Sequence, residues 1–181
     1  MIDENSIQLI RLTDSSELTP EFSIIYEEAF PSDERREWSQ IIDLLSNNSF
    51  NFFKILYMQR TIGLLSVWNL GEFHFVEHFA IQDIDRGKGF GNQVILLLQC
   101  RISTPLILEV EEPLTEMAQK RIAFYKRLNF QVCALDYYQP PYSISKNKVK
   151  MLLMSFPEML IQDSLIQVKA RIYDSVYHFS T

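Results

Sequence analysis

Three of the five glycines in this 181-residue chain fall within six residues, in the segment Arg86-Gly-Lys-Gly-Phe-Gly91. Glycine admits positive φ angles and lets other atoms approach the backbone closely. The segment lies between a strand pattern and a helical pattern, and the free N–H groups of a helix N-terminus favour a bound anion. Arg86 and Lys88 add positive charge. The segment therefore predicts a strand–loop–helix unit whose backbone amides hold a pyrophosphate.

Two other phosphate-binding loops do not fit this segment. A P-loop needs G-x-x-x-x-G-K-[ST], but Lys88 is followed by Gly89 where the motif requires Ser or Thr. A dinucleotide-binding fingerprint needs G-x-G-x-x-G, but its third glycine position holds Asn92. The segment also follows antiparallel strand patterns instead of opening a βαβ unit. A flexible glycine turn without a ligand is the other alternative.

The rest of the chain alternates between strand and helix patterns. Seven segments with apolar alternation or short apolar runs predict strands, at residues 6–14, 51–58, 61–68, 73–82, 106–110, 131–138 and 149–156. Apolar residues three and four apart predict helices at residues 22–29, 38–45, 90–98, 115–128 and 161–176. Strands 73–82 and 106–110 are joined through a helix and should be parallel, whereas short connections make their neighbours antiparallel. The pattern predicts an α+β fold, with helices flanking a mixed, mostly antiparallel sheet of six to seven strands.

Composition narrows the functional classes. The chain carries 17 Lys and Arg against 23 Asp and Glu, a formal charge of −6, which argues against nucleic-acid binding. The first five residues do not form a signal peptide, and the longest aliphatic run, residues 94–98, is far shorter than the roughly 20 residues of a membrane span. We therefore expect a cytoplasmic protein without nucleic-acid or membrane partners. Cys100 and Cys133 lack metal-binding or CxxC spacing, which predicts two buried, reduced thiols and no metal site.

The glycine segment resembles the hallmark of the GCN5-related N-acetyltransferase superfamily, Q/R-x-x-G-x-G/A, which Arg86, Gly89 and Gly91 match. Residues 77–81 resemble the superfamily's fourth strand, and residues 121–130 resemble its later FYxxxGF segment. The similarity extends from residue 7 to about 156. It implies an acetyltransferase domain over residues 1–157 and a C-terminal helical extension over 158–181, which packs on the domain or joins a homodimer.

Some positions depart from the superfamily pattern. Asn129 replaces a usual glycine, although Asn accepts left-handed backbone better than most residues. Ala118 and Arg121 stand where Asn and Ala are frequent, so side-chain contacts to the pantetheine arm are not carried over from there. Residues 137–142 resemble a bacterial subset of the superfamily, without indicating its substrate.

The resemblance implies transfer of an acetyl group from acetyl-CoA to a primary amine of a small molecule or peptide, by direct attack in a ternary complex without a metal. Transfer of a longer acyl group and a non-catalytic CoA-binding regulatory module stay open as alternatives. The implied cofactor-binding residues are the strand residues Phe79, Ala80 and Ile81 and the loop residues Arg86, Gly87, Lys88, Gly89, Phe90, Gly91 and Asn92.

Two side chains are candidates for the catalytic proton transfers. Glu77 alternates with Phe75 and Phe79 on an apolar face, which would raise its pKa and suit a general base; a structural Glu paired with Arg or His is the alternative. Tyr125 occupies the tyrosine of the FYxxxGF segment and is a candidate acid for the CoA sulfur, or else a core residue. His78 should be structural.

Other residues should lie near the acceptor. Glu109, Glu111 and Glu112 surround the end of the fifth strand and could bind a cationic substrate, or form a solvated acidic strand end. The connections 31–37 and 139–148 should flank the acceptor cleft and set substrate choice.

Overall fold

The computed structural model describes residues 6–158 and 160–179. In that part of the chain, eight strands and five α-helices follow one another. The strands are β1 (Gln8–Leu12), β2 (Phe50–Tyr57), β3 (Arg60–Asn69), β4 (His74–Ile81), β5 (Leu106–Glu111), β6 (Gln131–Val132), β7 (Tyr137–Gln139) and β8 (Val149–Phe156). The helices are α1 (Pro20–Ala29), α2 (Trp38–Leu44), α3 (Phe90–Arg101), α4 (Glu116–Arg127) and α5 (Gln162–Ser175).

The strands form one mixed sheet in the order β1-β2-β3-β4-β5-β8-β6, with β7 also paired to β8. β4 and β5 are parallel, and the other pairs are antiparallel. The predicted α+β class and the predicted parallel pair are therefore confirmed. The sheet has eight strands because the segment predicted as one strand, residues 131–138, forms two. Between them the Leu135 amide donates to the Cys133 carbonyl at 3.0 Å, so the chain leaves the ladder there.

Two hydrophobic clusters divide the helices between the faces of the sheet. α1, α2 and α5 bury residues such as Phe22, Ile41 and Ile172 in one cluster, together with Phe75 of β4. α3 and α4 bury Phe90, Val94 and Ile122, among others, in the second. We call the first side the α5 face and the second the α3–α4 face. α5 thus packs on the sheet of its own chain; the domain limit at residue 157 and a homodimer stay predictions.

Asn129 adopts the backbone conformation that its sequence position predicts. Its φ is 64°, directly after α4. The Asn129 amide donates to the Lys126 carbonyl at 3.1 Å, and the Phe130 amide donates to the Tyr125 carbonyl at 3.1 Å. These two bonds make a Schellman motif, closed by contact of the Tyr125 and Phe130 rings, whose centroids lie 5.5 Å apart. Asn therefore serves where the superfamily usually has glycine.

Three further findings concern the sequence-based expectations. Cys133 is buried, but Cys100 is exposed on α3, so the prediction of two buried thiols is wrong for Cys100. No helix within residues 6–158 and 160–179 has the length and apolar character needed to cross a membrane. The absence of a signal peptide was inferred from residues 1–5, which lie outside the described part.

Candidate active site

Near the middle of the sheet, β4 has a β-bulge opposite β3 and separates from β5. On β3, Val67 pairs with Val76 and Ser66 pairs with His78, so Glu77 is an extra residue in β4. The parallel pairing of β4 with β5 ends at Val76 and Leu108. Beyond this pair the two strands separate, and a gap opens between their carboxyl ends. Glu77 and Glu109 are the first residues past the last pair, one on each strand.

The bulge decides which amides of β4 face this gap. The Gln82 amide donates to the Ile62 carbonyl of β3 at 2.9 Å. Because donors alternate along an antiparallel strand, the amides of Ile81 and Phe79 point away from β3, towards the gap. The Ala80 amide points towards β3. Of the three amides predicted to contact the cofactor, those of Phe79 and Ile81 lie along the gap, whereas that of Ala80 lies on the β3 side. Their contact with a cofactor stays a prediction.

The glycine segment forms the expected loop before α3. Gly87 and Gly89 have φ angles of 77° and 84°, which glycine adopts without strain. A Cβ atom at either position would meet no atom within 4 Å among the described residues, so the backbone is open to a ligand. The Gln93 amide is the first of α3 to bond within the helix, to Gly89 O at 3.2 Å, which leaves the amides of residues 90–92 without intrahelical acceptors.

Gly91 lies in different surroundings from the other two glycines. It lies within α3, and a Cβ atom there would sit 3.5 Å from the Phe124 ring and 3.6 Å from the Phe79 ring. Phe79 comes from β4 and Phe124 from α4, so a methyl group at position 91 would make ordinary van der Waals contact with both rings. The sequence had identified the glycine but not these two partners.

An aspartate missed by the sequence analysis anchors the loop. The carboxylate of Asp85 accepts two hydrogen bonds from Arg60, at 2.7 and 2.8 Å, and one from Lys88 at 2.9 Å. The Arg60 bonds, with Lys88, lower the pKa of Asp85 to about 2 against the opposing effect of burial. Arg86 pairs with Asp83 at 2.6 Å and also donates to the Ile81 carbonyl at 3.0 Å. Three cations therefore surround the loop, where the sequence had indicated two.

Tyr125 lies on the α3–α4 face of the sheet. Its ring is buried in the second cluster, between Phe124 and Phe130. Within residues 6–158 and 160–179, the structure contains no hydrogen bond to its hydroxyl and no buried side-chain polar atom without a partner. The hydroxyl is therefore not completely enclosed by the described residues, although the ring lies in the core. Burial raises the pKa of Tyr125 to about 12, which keeps the phenol protonated at neutral pH.

The surroundings of Glu77 differ from those expected. Its side chain is fully buried and pairs with Arg36, with 2.8 Å between Nη2 and Oε1. Trp68 Nε1 donates to its Oε2 at 2.8 Å, and the Tyr142 hydroxyl donates to Oε1 at 3.1 Å. Burial alone would raise the pKa of Glu77, but Arg36 and these donors stabilise the charged form and lower it. The expected raised pKa of Glu77 is therefore wrong.

The bulge also turns His78 to the α5 face, whereas a regular strand would direct it opposite to Glu77. Its ring packs against Tyr26 and Phe30, with centroids 4.9 and 4.7 Å away. Nε2 donates to the Glu34 carbonyl at 3.1 Å. Burial lowers the pKa of His78 to about 4, so the imidazole is neutral at neutral pH. These contacts fit the structural role expected for it.

Glu109 has the titration behaviour that had been expected of Glu77. Burial raises its pKa to about 8, against hydrogen bonds from Tyr137 and Tyr177 that favour the charged form. Tyr177 donates to it at 2.9 and 3.1 Å, and Tyr137 donates to Oε1. Glu109 itself is only half-buried. The sequence indicated a position near the substrate for Glu109 but no role as a base, because its tyrosine partners come from distant segments.

A second carboxylate with a raised pKa lies on the connection between α1 and α2. Burial, with the charge of Glu111, raises the pKa of Glu34 to about 7, while Arg121 opposes the rise. Arg121 itself pairs with Glu111 across α4 and β5. Nothing in the sequence singled out Glu34 within the segment 31–37.

The two segments predicted to flank the acceptor cleft contact each other. Lys146 donates to the Arg35 carbonyl at 2.6 Å and pairs with Glu37 at 2.7 Å. Asn147 donates twice to the Asp33 carboxylate, both at 3.0 Å. Since Arg36 and Tyr142 of these segments both bind Glu77, the tied segments lie on the α5 face beside the gap.

A surface cavity of about 590 Å³ lies elsewhere. It is bounded by Phe73, Pro105 and the N-terminal half of α5, at the opposite ends of β4 and β5 from the gap. Within the described residues, no group of three or more His, Cys, Asp or Glu side chains is placed to hold a metal ion.

Comparison with solved structures finds proteins of similar structure, although no protein-family model and no curated protein matches the sequence. A protein from Bacteroides thetaiotaomicron assigned to the GNAT family of acetyltransferases is 29% identical, with a TM-score of 0.87 over 96% of this chain and 99% of that one. The ribosomal-protein-S18-alanine N-acetyltransferase of Escherichia coli is 16% identical, with a TM-score of 0.59 over 87% and 97%. A GNAT family acetyltransferase from Elizabethkingia anophelis, solved with acetyl-CoA bound, is 15% identical, with a TM-score of 0.57 over 87% and 99%. The last two share the fold.

Proposed function

Because the chain belongs by its structure to the GCN5-related N-acetyltransferase superfamily, we propose that it transfers an acetyl group from acetyl-CoA to a primary amine by direct attack in a ternary complex. One observation carries this proposal: the gap between β4 and β5 has an open glycine loop at its end, a free phenol on one face and a carboxylate of raised pKa on the other. The amine would be a small molecule or a peptide.

The cofactor half of the proposal rests on the loop and the gap. The amides of residues 90–92 and the three nearby cations suit the pyrophosphate of acetyl-CoA, since a helix N-terminus attracts anions. The amides of Phe79 and Ile81 face the gap and suit the carbonyls of the pantetheine arm and the thioester. An amide aimed at the developing oxyanion would stabilise the tetrahedral intermediate.

In the proposed reaction, one proton is transferred on each of the two faces of the sheet. The amine nitrogen bonds to the thioester carbon, and Glu109 accepts the proton that the nitrogen loses. The carbon–sulfur bond then breaks, and Tyr125 donates its proton to the departing sulfur. Glu109 replaces Glu77 as the candidate base because a base works best when its pKa lies near the working pH. Tyr125 keeps the role that the sequence suggested.

The proposal is tested by measuring CoA release from acetyl-CoA with a panel of amines and peptides, for wild type, Glu109→Gln and Glu72→Gln. Glu72 is exposed at the far end of the sheet and serves as the control. We expect wild type and Glu72→Gln to release CoA, and Glu109→Gln to be slower by about 100-fold or more, within the range for acid–base catalysis. Acetyl-CoA binding without CoA release for every acceptor, or a fully active Glu109→Gln, would overturn it.

A further inference from the structure

The residues just past the C-terminal helix contact side chains on the proposed acceptor side of the gap. Just past α5, the Val176 carbonyl accepts a hydrogen bond from Arg36 at 2.7 Å, and the Tyr177 hydroxyl bonds both oxygens of Glu109. Both residues are buried. α5 begins at Gln162, beyond the part of the sequence that resembles the superfamily. The extension therefore contributes contacts to the two carboxylates that border the gap.

We propose that Tyr177 is a positioning residue for catalysis: together with Tyr137 it fixes the Glu109 carboxylate at the mouth of the gap and stabilises its charged form. This inference rests on the proposed function, in which Glu109 accepts the proton of the amine. It makes acetyl transfer depend on a residue contributed by the C-terminal extension.

The geometry explains why two phenols are needed. Tyr137 approaches Glu109 from β7 and Tyr177 from the end of α5, so the carboxylate is held from two elements. A carboxylate on a single donor could rotate about its side chain, whereas contacts from two directions fix its oxygens. The Tyr142 hydroxyl, 3.4 Å from that of Tyr177, links this group to Glu77.

The charges around Glu109 oppose its ionisation, so its pKa depends on the hydrogen bonds from the two phenols. Burial and the negative charges of Glu77 and Glu34, on β4 and the α1–α2 connection, all disfavour ionisation of Glu109. Against them act the two phenol donors. Removing the hydroxyl of Tyr177 leaves the opposing influences in place, so the pKa of Glu109 must rise. Since a base acts only when deprotonated, the rate should fall below that pKa and recover above it.

The first test is a carbon-13 NMR titration of glutamate-labelled protein, in which the Glu109 signal is assigned by its loss in Glu109→Gln. We compare wild type, Tyr177→Phe and Tyr173→Phe. Tyr173 is also buried on α5, but its hydroxyl donates to the Tyr138 carbonyl at 2.5 Å instead. We expect Tyr177→Phe to raise the Glu109 pKa by about one unit, an effect of the size of one charged hydrogen bond, and Tyr173→Phe to leave it unchanged.

The second readout is the pH profile of kcat/KM. Tyr177→Phe should shift its rise to higher pH by about one unit, which is a loss of about ten-fold at neutral pH that disappears at alkaline pH. Acetyl-CoA affinity should not change, because Tyr177 lies on the acceptor side. Tyr173→Phe should follow the wild-type profile.

An unchanged Glu109 pKa in folded Tyr177→Phe, or an equal rise in Tyr173→Phe, would overturn the proposal. If Tyr177→Phe does not fold, the wild-type protein decides: the Tyr177 Cζ signal should titrate with the same midpoint as Glu109, and a flat Tyr177 signal contradicts the inference. A wild-type protein that releases no CoA would refute the proposed function, while the titration would still show whether Tyr177 holds Glu109.

Discussion

At the scale of single residues, Glu77 illustrates how a buried charge can look catalytic and be structural. A lone carboxylate on an apolar strand face predicts a raised pKa only when no cation reaches it. Arg36 reaches Glu77 from a segment about forty positions earlier in the sequence, and local alternation carries no information about such a partner. The same limitation explains why Glu109 was missed as a base, since its two donors lie 28 and 68 positions later in the sequence.

We therefore expect Glu77→Gln to reduce stability more than chemistry. Losing one partner of a buried ion pair leaves the other charge uncompensated, which costs about 3 kcal/mol or more. Urea unfolding of Glu77→Gln should show this loss, whereas Glu116→Gln, which breaks an exposed pair with Lys120, should change little. Because the folded-state pKa of Glu77 is lowered, its contribution is present at neutral pH and lost on acidification. The difference in unfolding free energy between wild type and Glu77→Gln should therefore become smaller in acid. If Glu77→Gln is instead as stable as wild type but reacts slowly, and added base restores its rate, Glu77 is the catalytic base.

Tyr125→Phe separates a catalytic phenol from a core aromatic ring. The substitution keeps the ring packed between Phe124 and Phe130 and removes only the hydroxyl, which has no hydrogen-bond partner among the described residues. We expect kcat to fall about ten-fold or more, while the melting temperature and acetyl-CoA affinity stay close to wild type. A fall in melting temperature with kcat preserved would instead identify Tyr125 as a core residue and require another acid.

At the scale of elements, the glycine loop allows a matched pair of substitutions. Gly89 and Gly71 have almost the same φ, 84° and 86°, and at each a Cβ atom would meet nothing within 4 Å among the described residues. Glutamate should therefore strain the backbone equally at both positions. Only Gly89→Glu places bulk and negative charge at the expected pyrophosphate site, so calorimetry should show acetyl-CoA binding abolished there and retained in Gly71→Glu. Equal affinities in the two folded variants would place the cofactor elsewhere.

The elements were predictable where a local signal determines them. Periodicity located five helices and most strands, and the left-handed position of Asn129 followed from its place after a helix. The bulge at Glu77 was not predictable, because it depends on how β3 and β4 are aligned, and one extra residue redirects every amide that follows. The glycine loop was therefore found from the sequence, whereas the amides that face the gap, and the partners of Glu77 and Glu109, required the tertiary structure.

At the scale of the whole molecule, the sheet separates two tasks. The α3–α4 face carries the glycine loop and Tyr125, which would bind and protonate the CoA half of the reaction. The α5 face carries Glu109 and the tied segments, which would border the acceptor in the proposed reaction. The gap between β4 and β5 is the place where groups from both faces can meet. α5 belongs to this arrangement because it covers that face of the sheet, and because the residues just past its end contact Arg36 and Glu109.

This dual role leads to a prediction about the C-terminal extension. Truncation after Pro157 would uncover the surface that Leu165, Val168 and Ile172 bury, so the shortened protein should aggregate or change its oligomeric state.

A pair of point variants separates packing within the chain from assembly between chains. Ile172 is fully buried, whereas Ile166 on the same helix is 56% exposed. Ile172→Ala should lose about 2–5 kcal/mol of unfolding free energy, and Ile166→Ala should lose little. If size-exclusion chromatography shows that Ile166→Ala dissociates a dimer while Ile172→Ala is harmless, α5 acts chiefly as an interface between two chains. If both variants and the truncation match wild type in stability and mass, the helix is dispensable.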